Sequence, residues 1–185
     1  LFEDYVLTWS GGFTHDDAKC YLAINDTLRA RVYDMNAQTT EKELYLGDKV
    51  GAIGMSDLCP NASGDKLYFT NGDYYPFSID SGNYITAFDF ALDSITLRYG
   101  IGPPATNDIK LSPDGKYIVC TDPGFLMLSY FGSNDIIVLD QATSEVVAQI
   151  PAGKQISGNP PRGLAPGGIE FTPDSKYAII VCAEG

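Results

Sequence analysis

The sequence predicts an all-β chain. Helical periodicity is nearly absent, because no window holds apolar residues at spacings of three and four for more than two turns without Gly or Pro. Short runs rich in β-branched and aromatic residues alternate with turn-forming clusters along the whole length. One phrase, a Pro-Asp turn leading into an apolar run, is written twice, as LSPDGKYIVC at 111–120 and FTPDSKYAIIVC at 171–182.

In chain order the runs are CYLAI (20–24), ARVYDM (30–35), KLYFTN (66–71), YITAFDF (84–90) and ITLRY (95–99). They continue with KYIVCT (116–121), DIIVLD (135–140), EVVAQI (145–150), IEFT (169–172) and KYAIIVC (176–182). Clusters such as SGDK, SPDGK, FGSND, DQATSE and TPDSK separate them, and such residues favour turns.

The repeated phrase has weaker relatives upstream, THDDAKCYLAIN (14–25) and NASGDKLYFTN (61–71). Its lysines, Lys19, Lys66, Lys116 and Lys176, recur every 50 residues or so, roughly the length of one four-stranded unit. A second phrase lies between them: a strand ending in Asp, a short turn, then another strand. It reads RVYDMNAQTTEKEL (31–44), ITAFDFALDSITLRY (85–99) and IIVLDQATSEVVAQI (136–150), with Asp34, Asp89 and Asp140 in register. Together the phrases describe a repeated four-stranded antiparallel unit, the blade of a β-propeller. Blades are expected over 11–50, 51–102 and 103–153, with the start of a fourth at 164–185. Propellers close with about four to eight blades, so the expectation is a single partial propeller of some three and a half blades. Missing sequence or another chain would complete the ring.

The segment IKLSPDGKYIVCTD…GSNDIIVLDQATSEVVAQIPAG (109–153) resembles the YVTN-type β-propeller repeat, as does 168–182. The likeness is loose over 13–100, where THDD and NASGD replace the proline turn. The resemblance implies a periplasmic or extracellular protein that binds partners. Similar propellers form subunits of amine dehydrogenases and nitrogen-cycle reductases, which would put haem or copper on partner subunits. Lactonases share the SPDGK and GSN phrases, which implies a hydrolase as a further alternative.

A chain of 185 residues is long enough to bury a core, hiding roughly 70% of its unfolded surface. Its formal charge of −12 opposes nucleic acid and anionic membranes as partners. The longest apolar runs, YAIIVCA (177–183) and FLML (125–128), fall short of the roughly 20 residues a membrane helix needs, so no membrane span is expected. The first residue is Leu1, which reads as a processed or trimmed start. Cys20, Cys59, Cys120 and Cys182 lack metal or haem-attachment spacing. Cys120 and Cys182 read as buried core residues, and a Cys20–Cys59 disulfide stays open for an oxidising compartment.

Geometry explains the PDGK phrase: Pro presets the backbone, Asp caps the turn and Gly takes a positive φ. Asp34, Asp89 and Asp140 likewise begin a recurring turn whose N–H groups a carboxylate can accept. Asp57 and Asp108 are more pointed, because each stands just before the first strand of a blade, where Gly168 holds the matching place. Carboxylates there can face one axial opening and hold a hard cation such as calcium, orient a polar substrate, or bond backbone. The loop TNGDYYPFSIDSGN (70–83) sets Asp73 and Asp80, with Asn71 and Asn83, around Tyr74, Tyr75 and Phe77, a composition suited to calcium, a sugar or a protein. The Gly- and Pro-rich segment 152–168 is expected to pack on a neighbour.

The one histidine, His15, sits in the first turn beside Asp16 and Asp17, and G-x-S-x-G is absent, so no nucleophilic triad is legible. Asn25 and Asn61 match the N-glycosylation triplet near loops or strand ends. The expected function is a non-catalytic, exported scaffold or partner-binding subunit. A propeller subunit of a multi-subunit redox enzyme and a lactonase-like hydrolase are the alternatives.

Overall fold

The computed structural model describes residues 8–14, 16–24, 29–46, 55–71, 83–102, 108–121, 135–152 and 164–184. Every regular element among them is a β-strand. Sheet 1 contains β1 (Thr8–Phe13), β2 (Lys19–Ile24), β3 (Arg29–Asp34) and β4 (Thr39–Tyr45). Sheet 2 contains β5 (Met55–Pro60), β6 (Lys66–Asn71), β7 (Asn83–Asp89) and β8 (Ser94–Gly102). Sheet 3 contains β9 (Ile109–Leu111), β10 (Tyr117–Thr121), β11 (Asp135–Asp140) and β12 (Val146–Pro151). Sheet 4 pairs β13 (Leu164–Phe171) with β14 (Ala178–Glu184). The first three are antiparallel meanders in chain order, and the first strand of each sheet abuts the first strand of the next.

The ten runs read from sequence fall on strands, while β1, β5 and β9 were visible only as a place the repeat required. Their sequences, TWSGGF, MSDLCP and IKL, are short or interrupted by Gly, Asp and Pro. Each is held from two sides, by its hairpin partner and by the next sheet, and such context overrides strand propensity.

The first hairpin of each sheet is one turn repeated. The N–H of Thr14, Asn61, Ser112 and Thr172 donates to the carbonyl of Lys19, Lys66, Tyr117 and Tyr177 respectively, at 2.8–3.0 Å. Asp114 caps its turn by accepting the Ser112 hydroxyl at 2.7 Å and the Lys116 N–H at 3.2 Å, and Asp174 repeats both bonds with Thr172 and Lys176. The positive φ falls on Asp17, Gly64, Gly115 and Ser175, one per turn. This register corrects the lysine alignment: Lys19 and Lys66 match Tyr117 and Tyr177, one place after Lys116 and Lys176. The two sets also differ in work. Lys116 and Lys176 pair with their own turn carboxylates at 3.2 and 3.1 Å, whereas Lys19 reaches across to Glu41 at 2.8 Å.

The second repeated turn also follows from its aspartate. Asp34 accepts the N–H groups of Asn36 and Ala37, Asp89 those of Ala91 and Leu92, and Asp140 those of Ala142 and Thr143, all at 2.8–3.0 Å. Gln38, Asp93 and Ser144 then take the positive φ.

The core lies between sheets. Tyr21, Ala23, Ala30 and Val32 of sheet 1 meet Leu58, Leu67, Phe69 and Phe88 of sheet 2. The opposite face of sheet 2, with Cys59, Tyr68, Ile85 and Ala87, meets Ile109, Ile118, Cys120, Ile137 and Leu139 of sheet 3. Both faces of β6 are therefore buried, while the outer strands β4 and β12 are mostly exposed. Among the described residues no helix is long and apolar enough to cross a membrane.

Candidate functional site

Four residues before each hairpin turn stands one residue per sheet: Ser10, Asp57, Asp108 and Gly168. The pairing slips by a bulge at this level in three of the sheets, between Thr8 and Gly11, Met55 and Asp57, and Pro166 and Ile169. A bulge turns a side chain out of the regular alternation. Here Asp57 reaches both neighbouring sheets.

Asp57 Oδ1 accepts the Ser10 hydroxyl of sheet 1 and the N–H of Leu58, the latter at 2.9 Å. Asp57 Oδ2 accepts the Ile109 N–H of sheet 3 at 2.8 Å. Asp108 repeats that bond one sheet further, its Oδ2 accepting the Ile169 N–H at 2.6 Å. At Gly168 the row has no side chain, and a Cβ there would lie 3.8 Å from Asp108 Oδ2. Ser10 was missed in the sequence, although counting back from the Thr14 turn finds it.

The pair sits in a setting that disfavours charge. Burial foremost, then the hydrogen bond and charge of Asp108, push the Asp57 carboxyl up to about 8, against the opposing pull of the Ile109 and Leu58 N–H groups. Burial likewise holds the Cys59 thiol well above its usual range, helped by Asp57, Cys120 and Asp108. Lys110 is raised through its hydrogen bond to Glu170 and the charge of Asp108, although burial opposes this, and it pairs with Glu170 at 2.8 Å.

A calcium ion needs several open oxygen ligands. Both oxygens of Asp57 and one of Asp108 already accept hydrogen bonds, and among the described residues no three His, Cys, Asp or Glu side chains converge as a metal site. Both side chains thus bond one sheet to the next. Asp73 and Asp80, with Tyr74, Tyr75 and Phe77, lie outside the described residues, as do His15 and Asn25.

Asn61 is described, and it is buried at 4% exposure. Its Nδ2 donates to Ser63 and Asp65 and its Oδ1 accepts the Lys66 N–H, so this amide is committed to the turn and closed to a glycan. All four cysteines are free thiols, so no disulfide joins Cys20 to Cys59. Cys120 is buried as expected, but Cys182 is only half-buried.

No protein-family model and no curated protein matches the chain. Among solved structures it is similar to Kuenenia stuttgartiensis hydrazine synthase, at 16% identity and a TM-score of 0.45. The likeness covers 92% of this chain and 60% of that one, so the chain spans less than two thirds of its length.

Proposed function

We propose that the chain is part of a YVTN-like β-propeller acting as an exported, non-catalytic scaffold, whose working surface is the apolar face of β14. Exposure along the second strands supports this reading. Two residues after the close of each hairpin stand Tyr21, Tyr68, Val119 and Ile179, with exposures of 1%, 0%, 4% and 56%. Two further on stand Ala23, Thr70 and Thr121, each fully buried, and then Val181 at 66%. In sheets 1 and 2 the next sheet covers this face. On β14 the same face carries Ile179 and Val181 open to solvent, beside Tyr177 at 68%. A row of large apolar side chains in the register of an interface is a docking surface. Its fitting partner is a further antiparallel sheet, from other subunits or from more of the same protein.

Native mass measurement of the intact assembly tests this. The expected result is a complex held through β14, which Ile179→Asp with Val181→Asp dissociates. A compact monomer that turns over a small substrate would overturn the scaffold reading. Haem- or copper-bearing subunits in the native complex would select the redox-enzyme alternative.

A further inference from the structure

In sheets 1, 2 and 3 the second strand lies between two partners, β2 between β1 and β3, β6 between β5 and β7, and β10 between β9 and β11. Among the described residues β14 is bonded along one edge only, to β13. The face of sheet 3 that looks toward sheet 4, where the Thr121 hydroxyl donates to the Gly167 carbonyl at 2.9 Å, is covered unevenly. Ile136 and Val138 of β11 share that face and are half-buried, whereas the residues in their register, Ala30 and Val32 of β3 and Ile85 and Ala87 of β7, are fully buried. Beside Ile136 on β12, Ile150 is 48% exposed, while its counterparts Leu44 and Tyr99 pack on the core. We propose that the edge of β14 and this half-covered face of sheet 3 form one slot, which takes a β-hairpin of the chain's own repeat type by strand addition.

The hairpin's chemistry follows from the three already in place. Each third strand runs antiparallel to the second and sets Asp34, Asp89 or Asp140 opposite Lys19, Lys66 or Tyr117, whose match in sheet 4 is Tyr177. The residue after that Asp, Met35, Phe90 or Gln141, donates its N–H to the carbonyl of Ala18, Asp65 or Lys116 at 2.8–3.0 Å. In sheet 4 the matching acceptor is the Lys176 carbonyl. Just before the Asp, Phe88 and Leu139 turn back into the core shared with the preceding sheet. The hairpin therefore needs a large apolar residue followed by Asp, so that the first meets sheet 3 and the second closes the turn. Backbone pairing would admit any extended segment, so the apolar floor of Ile136, Val138 and Ile150 sets the choice.

The proposal rests on the reading of β14 as a docking element, but it uses the edge of that strand and not the face of Ile179 and Val181. A synthetic peptide copying residues 135–151 tests it, with hydrogen exchange of the full chain as the readout. The expected result is protection of alternate amides in β14. Ile136→Asp with Val138→Asp in the chain should weaken the peptide about tenfold or more, and Leu139→Asp in the peptide should do the same. Should the double variant not fold, Ile150→Asp, at an exposed position, reads the same floor. Unprotected β14 amides at saturating peptide, protection falling on β10 instead, or unchanged affinity in the floor variants would overturn the proposal. So would a second copy of the chain seated on the β14 edge before peptide is added. If Ile179→Asp with Val181→Asp leaves the native assembly intact, the scaffold reading fails while the peptide result still decides the slot.

Discussion

Strands β6 and β14 occupy the same place in their sheets and carry the same kind of side chains, yet they live in different solvents. Tyr68 and Thr70 of β6 are fully buried against sheet 3, with the Tyr68 hydroxyl donating to the Gln141 carbonyl at 2.9 Å. Ile179 and Val181 of β14 stand in the same register and are more than half exposed. The pattern that places an apolar residue on a strand face is therefore the same in both. What differs is the neighbour, and apolar burial contributes only when a neighbour removes water, at about 25 cal/mol per Å².

The largest effect expected from this contrast is on stability. Tyr68→Ala should cost about 3–5 kcal/mol, because it opens a cavity between sheets and strands the groups its hydroxyl met. Ile179→Ala, measured by the same denaturant unfolding on a chain without its partner, should stay within about 0.5 kcal/mol. Equal losses would break the comparison and mean that the β14 face is already covered.

A smaller effect separates the turns of the same two sheets. Asn61 is buried and makes three side-chain bonds, so Asn61→Ala should cost about 1–3 kcal/mol by leaving the Lys66 N–H and Asp65 unmet. Thr172 holds the equivalent place in sheet 4 but is half-exposed, so water replaces its bonds to Asp174 and Tyr177. Thr172→Ala should cost less, about 0.5 kcal/mol. A reversed order in thermal melts would place the tighter turn in sheet 4.

The smallest effect lies in sheet 1. Gln38 is exposed at φ 55°, a conformation that strains a side chain, while the first hairpins of sheets 2 and 3 place Gly64 and Gly115 at φ 72°. Gln38→Gly should relieve strain and raise stability by no more than about 1 kcal/mol, read as a small upward shift in Tm. A loss would show that the Gln38 side chain contributes more than its backbone costs.

Local chemistry made most of the strands and both turns legible. Asp114 and Asp140 cap their own neighbours within a few residues, so their roles need nothing from the rest of the chain. The lysine alignment slipped by one because Lys66 and Lys116 are alike as letters but differ in hydrogen-bond register, which only the turn-closing bonds reveal. Strands β1, β5 and β9 were hard to read because their stability comes from neighbouring sheets, leaving little mark in their own composition. Asp57 and Asp108 were legible as a recurring position. Their bonds were not, since Ser10, Asp57, Ile109 and Ile169 lie on different sheets and meet only when the sheets stack.

The sequence by itself determined the all-β class, the repeat of four-stranded units and the caps of both hairpins, because these depend on side chains acting on backbone close by in the chain. Tertiary structure alone decided that Asp57, which lies within β5 and not before it, and Asp108, just ahead of β9, bond sheet to sheet, that Asn61 is closed to solvent, and that β14 keeps an apolar face open. Those properties belong to the distance between sheets, and burial, charge repulsion and water exclusion all act through that distance.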